Sequence, residues 1–413
     1  MRKDLDHLMH THNVDALWIM GPTTHNPAMR YFCGEASLTG ADLFKRRNQP
    51  PTLFYRSMER DEAAKTGLIT RCYDDYPFRT YYEQANGDIS QATALRFRKM
   101  LEDLHLERSR IALYGKIEFG PQFDLVKQLQ TLMPEAEFLG FADDPILLMA
   151  MMTKDEDEIE RIRQMGRVTT QVVAQTADFL SQHRAKGGIL IKSDGEPLTI
   201  GEVKRRINLW LAEQGAENSE GTIFAIGRDA AIPHSTGNPH DVLRLGETIV
   251  FDIFPHEAGG GYFYDFTRTW CLGFATDEAL GLYEQVLSVY RQVVQELAPN
   301  RFFKFYHDRT CELFEAMGHP TVRTNPTTQE GYVHSLGHGL GLHVHEYPVS
   351  GAYANESRDL LAPGTVFTIE PGLYYPQKGI GVRLEDTYAV LPDGQITCLA
   401  EYPPDLVIPV RAS

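Results

Sequence analysis

The sequence predicts two mixed domains in tandem, an α/β domain over residues 1–150 and a domain of long helices and strands over residues 151–413. Three observations lead there. The first part of the chain alternates short apolar runs with helical patterns, which favours a layered domain around a central sheet. Near residues 145–154 the apolar run ILLMAMM gives way to polar residues. Beyond that break, long amphipathic helices are interleaved with strand-like stretches.

In chain order, Ala16–Met20, Leu53–Tyr55 and Ile111–Tyr114 read as strands, and the segments near 91–104 and 122–132 as helices. No glycine fingerprint follows any of these strands, so nucleotide binding has no support. This domain is expected to pack and gate rather than catalyse. At the boundary, Thr153-Lys154-Asp155-Glu156 has the form of a capping box and predicts a long helix. Ile159, Ile162, Met165, Val168 and Val172 recur at spacings of three and four and give that helix one buried stripe. A second helix is predicted from about Asp277 to Leu297, with Leu280, Tyr283, Val286, Leu287, Tyr290 and Val294 inward and Pro299 preventing its continuation. Strands are predicted over Thr248–Ile253, Tyr262–Leu272, Thr365–Ile369 and Gly381–Leu391, with a turn at Asp393-Gly394.

The chain has 413 residues, 42% hydrophobic and 23% charged, enough for two domains with real cores. A formal charge of −16 argues against a sequence-independent nucleic-acid binder, which needs a basic face; the run Lys45-Arg46-Arg47 is too short to change that. Five scattered cysteines without a CxxC pair suggest neither a disulfide framework nor a thiolate metal site. The N-terminal stretch is interrupted by charges and lacks a signal peptide's apolar core, and the longest apolar run is too brief to span a bilayer. A soluble cytoplasmic protein that uses neither nucleic acid nor membrane is the expectation.

Asp252, Asp265, His338, Glu370 and Glu385 lie on or beside the predicted strands of the second domain and read together as one oxygen-rich metal site. Each has an innocent reading alone: Asp265 could pair with Arg268, and Glu385 with Arg383. Asp252 is harder to dismiss, because it follows the apolar run Thr248-Ile249-Val250-Phe251, and a buried carboxylate must be paired, protonated or bound to metal. Four converging carboxylates would repel one another unless cations neutralised them. Two divalent ions would do so and would acidify a water, which implies hydrolysis. The segment from Val333 to Glu346 adds four histidines, with Leu342–His345 read as a strand placing His343 and His345 on one face. HExxH is absent.

The stretches IPHSTGNP, VFDIF with YDFTRTW, SLGHGLGLHVHE, FTIEPGLYY and GIGVRLEDT follow one another in an order that resembles the pita-bread metallopeptidases, and within them the proline-directed branch of aminopeptidase P and prolidase. The resemblance covers roughly residues 150–413; residues 1–150 look like the creatinase-type N-terminal domain in length and element order. It implies an α/β N-terminal domain followed by an α+β pita-bread catalytic domain. It makes Asp252, Asp265, His338, Glu370 and Glu385 the metal ligands, with Asp265 and Glu385 bridging. His234, His334 and His345 match histidines that orient substrate and stabilise the tetrahedral intermediate, and Tyr374 and Arg383 match positions near the metal site. The interval between Asp252 and Asp265 is two residues longer than the family pattern, through the stretch Pro255 to Gly261, and a two-residue insertion preserves strand parity.

The implied reaction is hydrolysis of Xaa-Pro bonds in dipeptides or short peptides, with Glu370 moving a proton, His345 donating to the developing oxyanion, and His234 and His334 positioning substrate. His234, His345, Tyr374 and Arg383 carry the match to the proline-directed branch and are the substrate-binding residues that the resemblance implies. The oxygen-rich ligand set favours manganese and leaves cobalt, iron and zinc open. A homodimer is implied by the same resemblance. The competing readings are a creatinase-like hydrolase or metal-dependent lyase on the same fold, and a non-catalytic binding module.

Overall fold

The computed structural model describes residues 4–411. They form two compact units that part between Met151 and Met152, with Gly259–Gly261 counted to the first. No helix among the described residues is long and apolar enough to cross a membrane.

In the first unit, strands Ala16–Gly21 (β1), Ala41–Arg46 (β2), Thr52–Tyr55 (β3), Ile69–Cys72 (β4), Arg110–Gly115 (β5) and Glu137–Leu139 (β6) make one sheet in the order β4-β3-β2-β1-β5-β6. All but β2 run in the same direction, so their carboxyl ends share one edge. β1 is buried along five of its six residues, as a central strand covered on both faces must be. Helices Ile89–Asp103 (α1) and Phe119–Leu132 (α2) bury Met100, Leu101, Leu125 and Leu129 in a core built around Trp18, Phe44 and Phe54. The Asp88 carboxylate accepts from the Gln91 amide and starts α1.

The second unit opens with helix Glu156–Ser181 (α3). The predicted stripe is buried, but the capping box is formed by Asp155 and Glu158, two residues later than Thr153 and Glu156. Thr153 instead makes a β-bridge with Thr365, which holds its backbone extended and shifts the helix start. Gly166 lets α3 approach the core closely, since a Cβ there would lie 2.6 Å from the Tyr264 ring.

The second long helix is Asp277–Glu296 (α4). Its buried face consists of Ala279, Leu282, Tyr283, Val286, Val289 and Val293, so the predicted stripe is rotated, and Leu280 is exposed. Tyr290 stays at the edge of this face, where its hydroxyl reaches Asp386 and Tyr388. A phenol needs a polar partner at its tip and sits where one is available.

Strands Thr222–Ile226 (β7), Thr248–Ile253 (β8) and Phe266–Ala275 (β9) form an antiparallel sheet, to which Leu245–Gly246 and Val407–Ile408 add on β9. A second sheet, in the order β11-β10-β12-β15-β16, holds His338–Gly339 (β10), Glu346–Val349 (β11), Val366–Ile369 (β12), Asp386–Val390 (β15) and Ile396–Cys398 (β16). Gly372–Tyr375 (β13) and Ile380–Arg383 (β14) make a separate ribbon.

Three expected strands differ here. Tyr262–Asp265 precedes β9, because the amides of Phe263 and Tyr264 donate to Gly341 and Pro255 instead of to β8. The stretch Gly381–Leu391 is broken at Leu384 and Glu385 into β14 and β15, which belong to different sheets. Leu342–His345 is a series of bends, and the strand begins at Glu346. The turn at Asp393-Gly394 forms between β15 and β16, with Gly394 at φ +87°.

Candidate metal centre and active site

Each carboxylate reaches the site by a local rule of strand geometry. Residues Thr248 to Phe251 are all buried, and Asp252 follows them near the end of β8. Asp252 pairs in register with Thr267 on β9. Asp265 stands one residue before β9, close enough to Asp252 for the two carboxyl groups to act on each other. The extra length between the two aspartates is taken up in a loop closed by the bridge from His256 to Phe263, whose tip holds Gly259 and Gly260 at positive φ.

Glu385 comes from the other side. It stands at the break between β14 and β15, where its amide donates to the Thr267 carbonyl at 3.0 Å. The Thr267 hydroxyl donates to Glu385 Oε2 at 2.7 Å. This one residue pair therefore joins the two halves of the carboxylate set.

His338 completes it. Its Nδ1 lies 3.0 Å from the Gly339 carbonyl, so Nδ1 carries the proton and Nε2 keeps its lone pair. Nε2 faces Asp265 Oδ2 at 3.6 Å and Glu370 Oε1 at 3.5 Å. Burial, with His345 next to it, pushes the His338 pKa down to about 3, so the ring is neutral. The Thr368 hydroxyl accepts from the His338 amide at 3.2 Å and bonds the Glu370 carboxyl.

One oxygen or nitrogen each from Asp265, His338 and Glu385 lies within 4.8 Å of the others. Burial, then the neighbouring carboxylates, raises the pKa of Asp265 and Glu370 well above the ordinary range and that of Glu385 to about 8. Asp252 Oδ1 and Asp265 Oδ1 are shut from solvent and accept no hydrogen bond from the described residues. Buried carboxylate oxygens without donors, beside a neutral imidazole with a free lone pair, are the donor set a pair of hard or borderline cations requires. The ion pair between Asp265 and Arg268 is not formed, since Arg268 bonds Asp386 at 2.9 Å. Glu385 likewise does not pair with Arg383.

Arg383 instead donates to Asp252 Oδ2 at 2.6 Å and to the Tyr374 hydroxyl at 2.9 Å. Because that hydroxyl accepts from Arg383, its own proton points to His334 Nε2, 2.8 Å away. His334 Nδ1 then donates to the Ser335 carbonyl at 2.7 Å. Burial holds His334 neutral, with a pKa of about 3. Tyr374 and Arg383 are thus buried supports of Asp252 and His334, and both ring nitrogens of His334 are engaged within the protein.

His234 and His345 are exposed. The His345 ring lies 4.2 Å from that of His338, and crowding by protein lowers its pKa. His234 is close enough to act electrostatically on both His334 and His345. His343 and His345 share an exposed side although their segment is not a strand. That segment is anchored by a pair which the sequence reading did not single out: Lys154 Nζ lies 2.6 Å from Glu346 Oε2, with both side chains at most 1% exposed. Glu346 Oε1 accepts from the His343 amide at 3.0 Å. Thr267 and Thr368 were also missed, though each lies two residues from a predicted ligand, and strand parity alone would have placed them on the ligand's face.

Residues 160–392, more than half of the chain, match the description Metallopeptidase family M24. The chain is 26% identical over 317 residues to the Xaa-Pro dipeptidase of Pyrococcus furiosus, covering 76% of this chain and 80% of that protein. It is 28% identical over 403 residues to an uncharacterized peptidase of Staphylococcus aureus, covering 94% and 95% of the two chains. Among solved structures, the prolidase of Pyrococcus horikoshii superposes with a TM-score of 0.73 at 23% identity, covering 98% of this chain and 99% of that one. The X-Pro aminopeptidase of Thermotoga maritima gives 0.72 at 22% identity with the same coverage. These superpositions show a shared fold over nearly the whole length, an N-terminal α/β domain followed by the pita-bread domain. With the family match spanning the segments that carry Asp252, Asp265, His338, Glu370 and Glu385, the chain belongs to metallopeptidase family M24.

Proposed function

We propose that the protein is an Xaa-Pro exopeptidase, an aminopeptidase or dipeptidase, that works with two divalent ions. The observation that carries this reading is the gathering of Asp265, Glu370 and Glu385 about one neutral imidazole, with Asp252 beside the set and two buried carboxylate oxygens left without a donor among the described residues. Preference for a bond preceding proline is supported by the Xaa-Pro dipeptidase among the relatives.

Asp252, Asp265, His338, Glu370 and Glu385 would hold the ions. Their oxygen-rich chemistry favours manganese. When bound, the ions supply Lewis acidity toward the scissile carbonyl and a water acidified at neutral pH. Glu370, only partly buried at the edge of the set, moves a proton toward the leaving nitrogen. His345, exposed beside His338, offers an N–H to the carbonyl oxygen as charge develops there. His234 positions the substrate. His334, with both nitrogens engaged, acts through Tyr374 and Arg383 to keep Asp252 aimed. A homodimeric state and a cytoplasmic location complete the reading; no disulfide forms among the described residues, which suits a reducing compartment.

Hydrolysis of Ala-Pro and Ala-Ala, measured as kcat/KM with manganese saturating, tests the specificity. A pocket shaped to a ring without N–H leaves the extra hydrogen of an ordinary amide unpaired, a penalty of about 1–3 kcal/mol. Ala-Pro is expected to be favoured roughly ten- to a hundredfold. Equal rates, or cleavage of neither with any divalent metal, would overturn the proposal. A longer Xaa-Pro peptide run alongside separates aminopeptidase from dipeptidase.

His345→Ala should retain nearly all of its metal while kcat falls, on the order of a hundredfold. A change confined to KM would make His345 a ground-state binding group instead.

A further inference from the structure

The first unit contains a cavity of about 820 Å³, lined entirely by its own residues and remote in sequence from the carboxylate set. It opens where β1, β3, β4 and β5 end: Gly21, Arg56, Tyr73 and Ile117 all line it. The carboxyl edge of a largely parallel sheet is where open α/β domains take their ligands, and the volume falls within the range of small-molecule sites.

The polar groups in this cavity are unbalanced. Arg56 and Arg96 both line it, and neither forms an ion pair among the described residues, although Asp42 and Asp74 act on Arg96 through space. Arg96 is half-buried, with its guanidinium 4.8 Å above the Tyr73 ring. Its Nη2 donates to the Tyr73 carbonyl at 2.9 Å, but its Nε is shut from solvent and donates to nothing. An arginine stays charged, and a charge drawn out of water without a counter-ion is costly. Asp42, the buried acid that acts on Arg96, is already engaged by other donors. Asp42 has one oxygen taken by the Trp18 indole N–H at 2.7 Å and the other by the Tyr73 hydroxyl, and burial raises its pKa, which weakens it as a counter-ion. The other acids of the lining, Asp74 and Asp124, are exposed at the rim.

The remaining wall is mainly apolar, with Met20, Phe97 and Leu125 inside and Ile89 exposed at the mouth. A phosphate or other strongly hydrated polyanion would gain nothing from that surface. We propose that this cavity binds a small monocarboxylate with an apolar body, of the class of a free aliphatic amino acid, its carboxylate on Arg96 and Arg56. The proposal stands on the first unit alone and does not depend on the peptidase reading.

Calorimetric titration of the full-length chain, stripped with chelator, with L-leucine and separately with 4-methylpentanoate tests it. Saturable one-site binding of either acid is expected, with no binding of leucinamide, which lacks the carboxylate. Binding of both acids shows that the carboxylate and apolar body suffice; binding of leucine alone identifies an amino acid. Arg96→Met should weaken binding at least tenfold, and so should Arg56→Met, whose exposed side chain can be replaced without disturbing the core. Glu385→Ala should leave it unchanged. Absence of saturable binding by either acid, equal binding of leucinamide, or loss of binding in Glu385→Ala would overturn the proposal.

Discussion

Glu385→Ala should bind markedly fewer than two ions per chain and hydrolyse Ala-Pro no faster than the assay background. Glu385 is held from two directions, by the Thr267 hydroxyl on its carboxylate and by the backbone bridge to Thr267. Its side chain is the member of the set supplied by the segment between β14 and β15, opposite Asp265. Without it, the remaining carboxylates cannot hold two cations in register. Glu385→Gln keeps the shape and the Thr267 contact but not the charge, and is expected to fail in the same way. Asp265→Ala should match both. Metal analysis alongside the rate assay decides the point, because a variant that kept two ions and near-normal turnover would remove its residue from the ligand set.

Lys154→Met should lower the unfolding free energy by about 3–5 kcal/mol, the usual consequence of removing one partner from a buried ion pair. Glu346 would then be left buried without its cation, since both side chains are at most 1% exposed. The pair is also tightly enclosed: a Cβ on Gly341 would lie 2.6 Å from Glu346 Oε2 and 2.7 Å from the Lys154 side chain. Lys154→Met combined with Glu346→Leu should recover most of the stability, because both charges leave together. Turnover should remain low in the double variant, since Glu346 also accepts from the His343 amide and so fixes the segment that displays His345. Urea unfolding of the three proteins measures the first effect. An unchanged midpoint in Lys154→Met would show that the pair is worth little.

The aspartate half of the candidate site was legible because strands repeat every two residues. The apolar run before Asp252 marks a buried carboxylate, and a two-residue insertion between the aspartates preserves strand parity, so both can still face the same side. The alternation from Gly381 to Leu391 gave no sign of the break at Glu385, since both halves of the stretch have the same buried pattern and only their partners differ. The helix start was ambiguous for a similar reason: Thr153 with Glu156 and Asp155 with Glu158 both satisfy the capping spacing. The bridge from Thr153 to Thr365, more than two hundred residues away, selected the second. Roles for Tyr374 and Arg383 could be placed near the site by resemblance, but their burial beneath Asp252 and His334 follows from packing that no local pattern encodes.

The bond between Thr267 and Glu385 spans 118 residues. On the ribosome, Asp252 and Asp265 therefore leave the exit tunnel long before Glu370 and Glu385 have been joined to the chain. Under the proposed ligand assignment, a nascent polypeptide would carry only half of the donor set. If these residues hold the metal as proposed, loading would wait until Glu370 and Glu385 have been added and Glu385 has folded against Thr267.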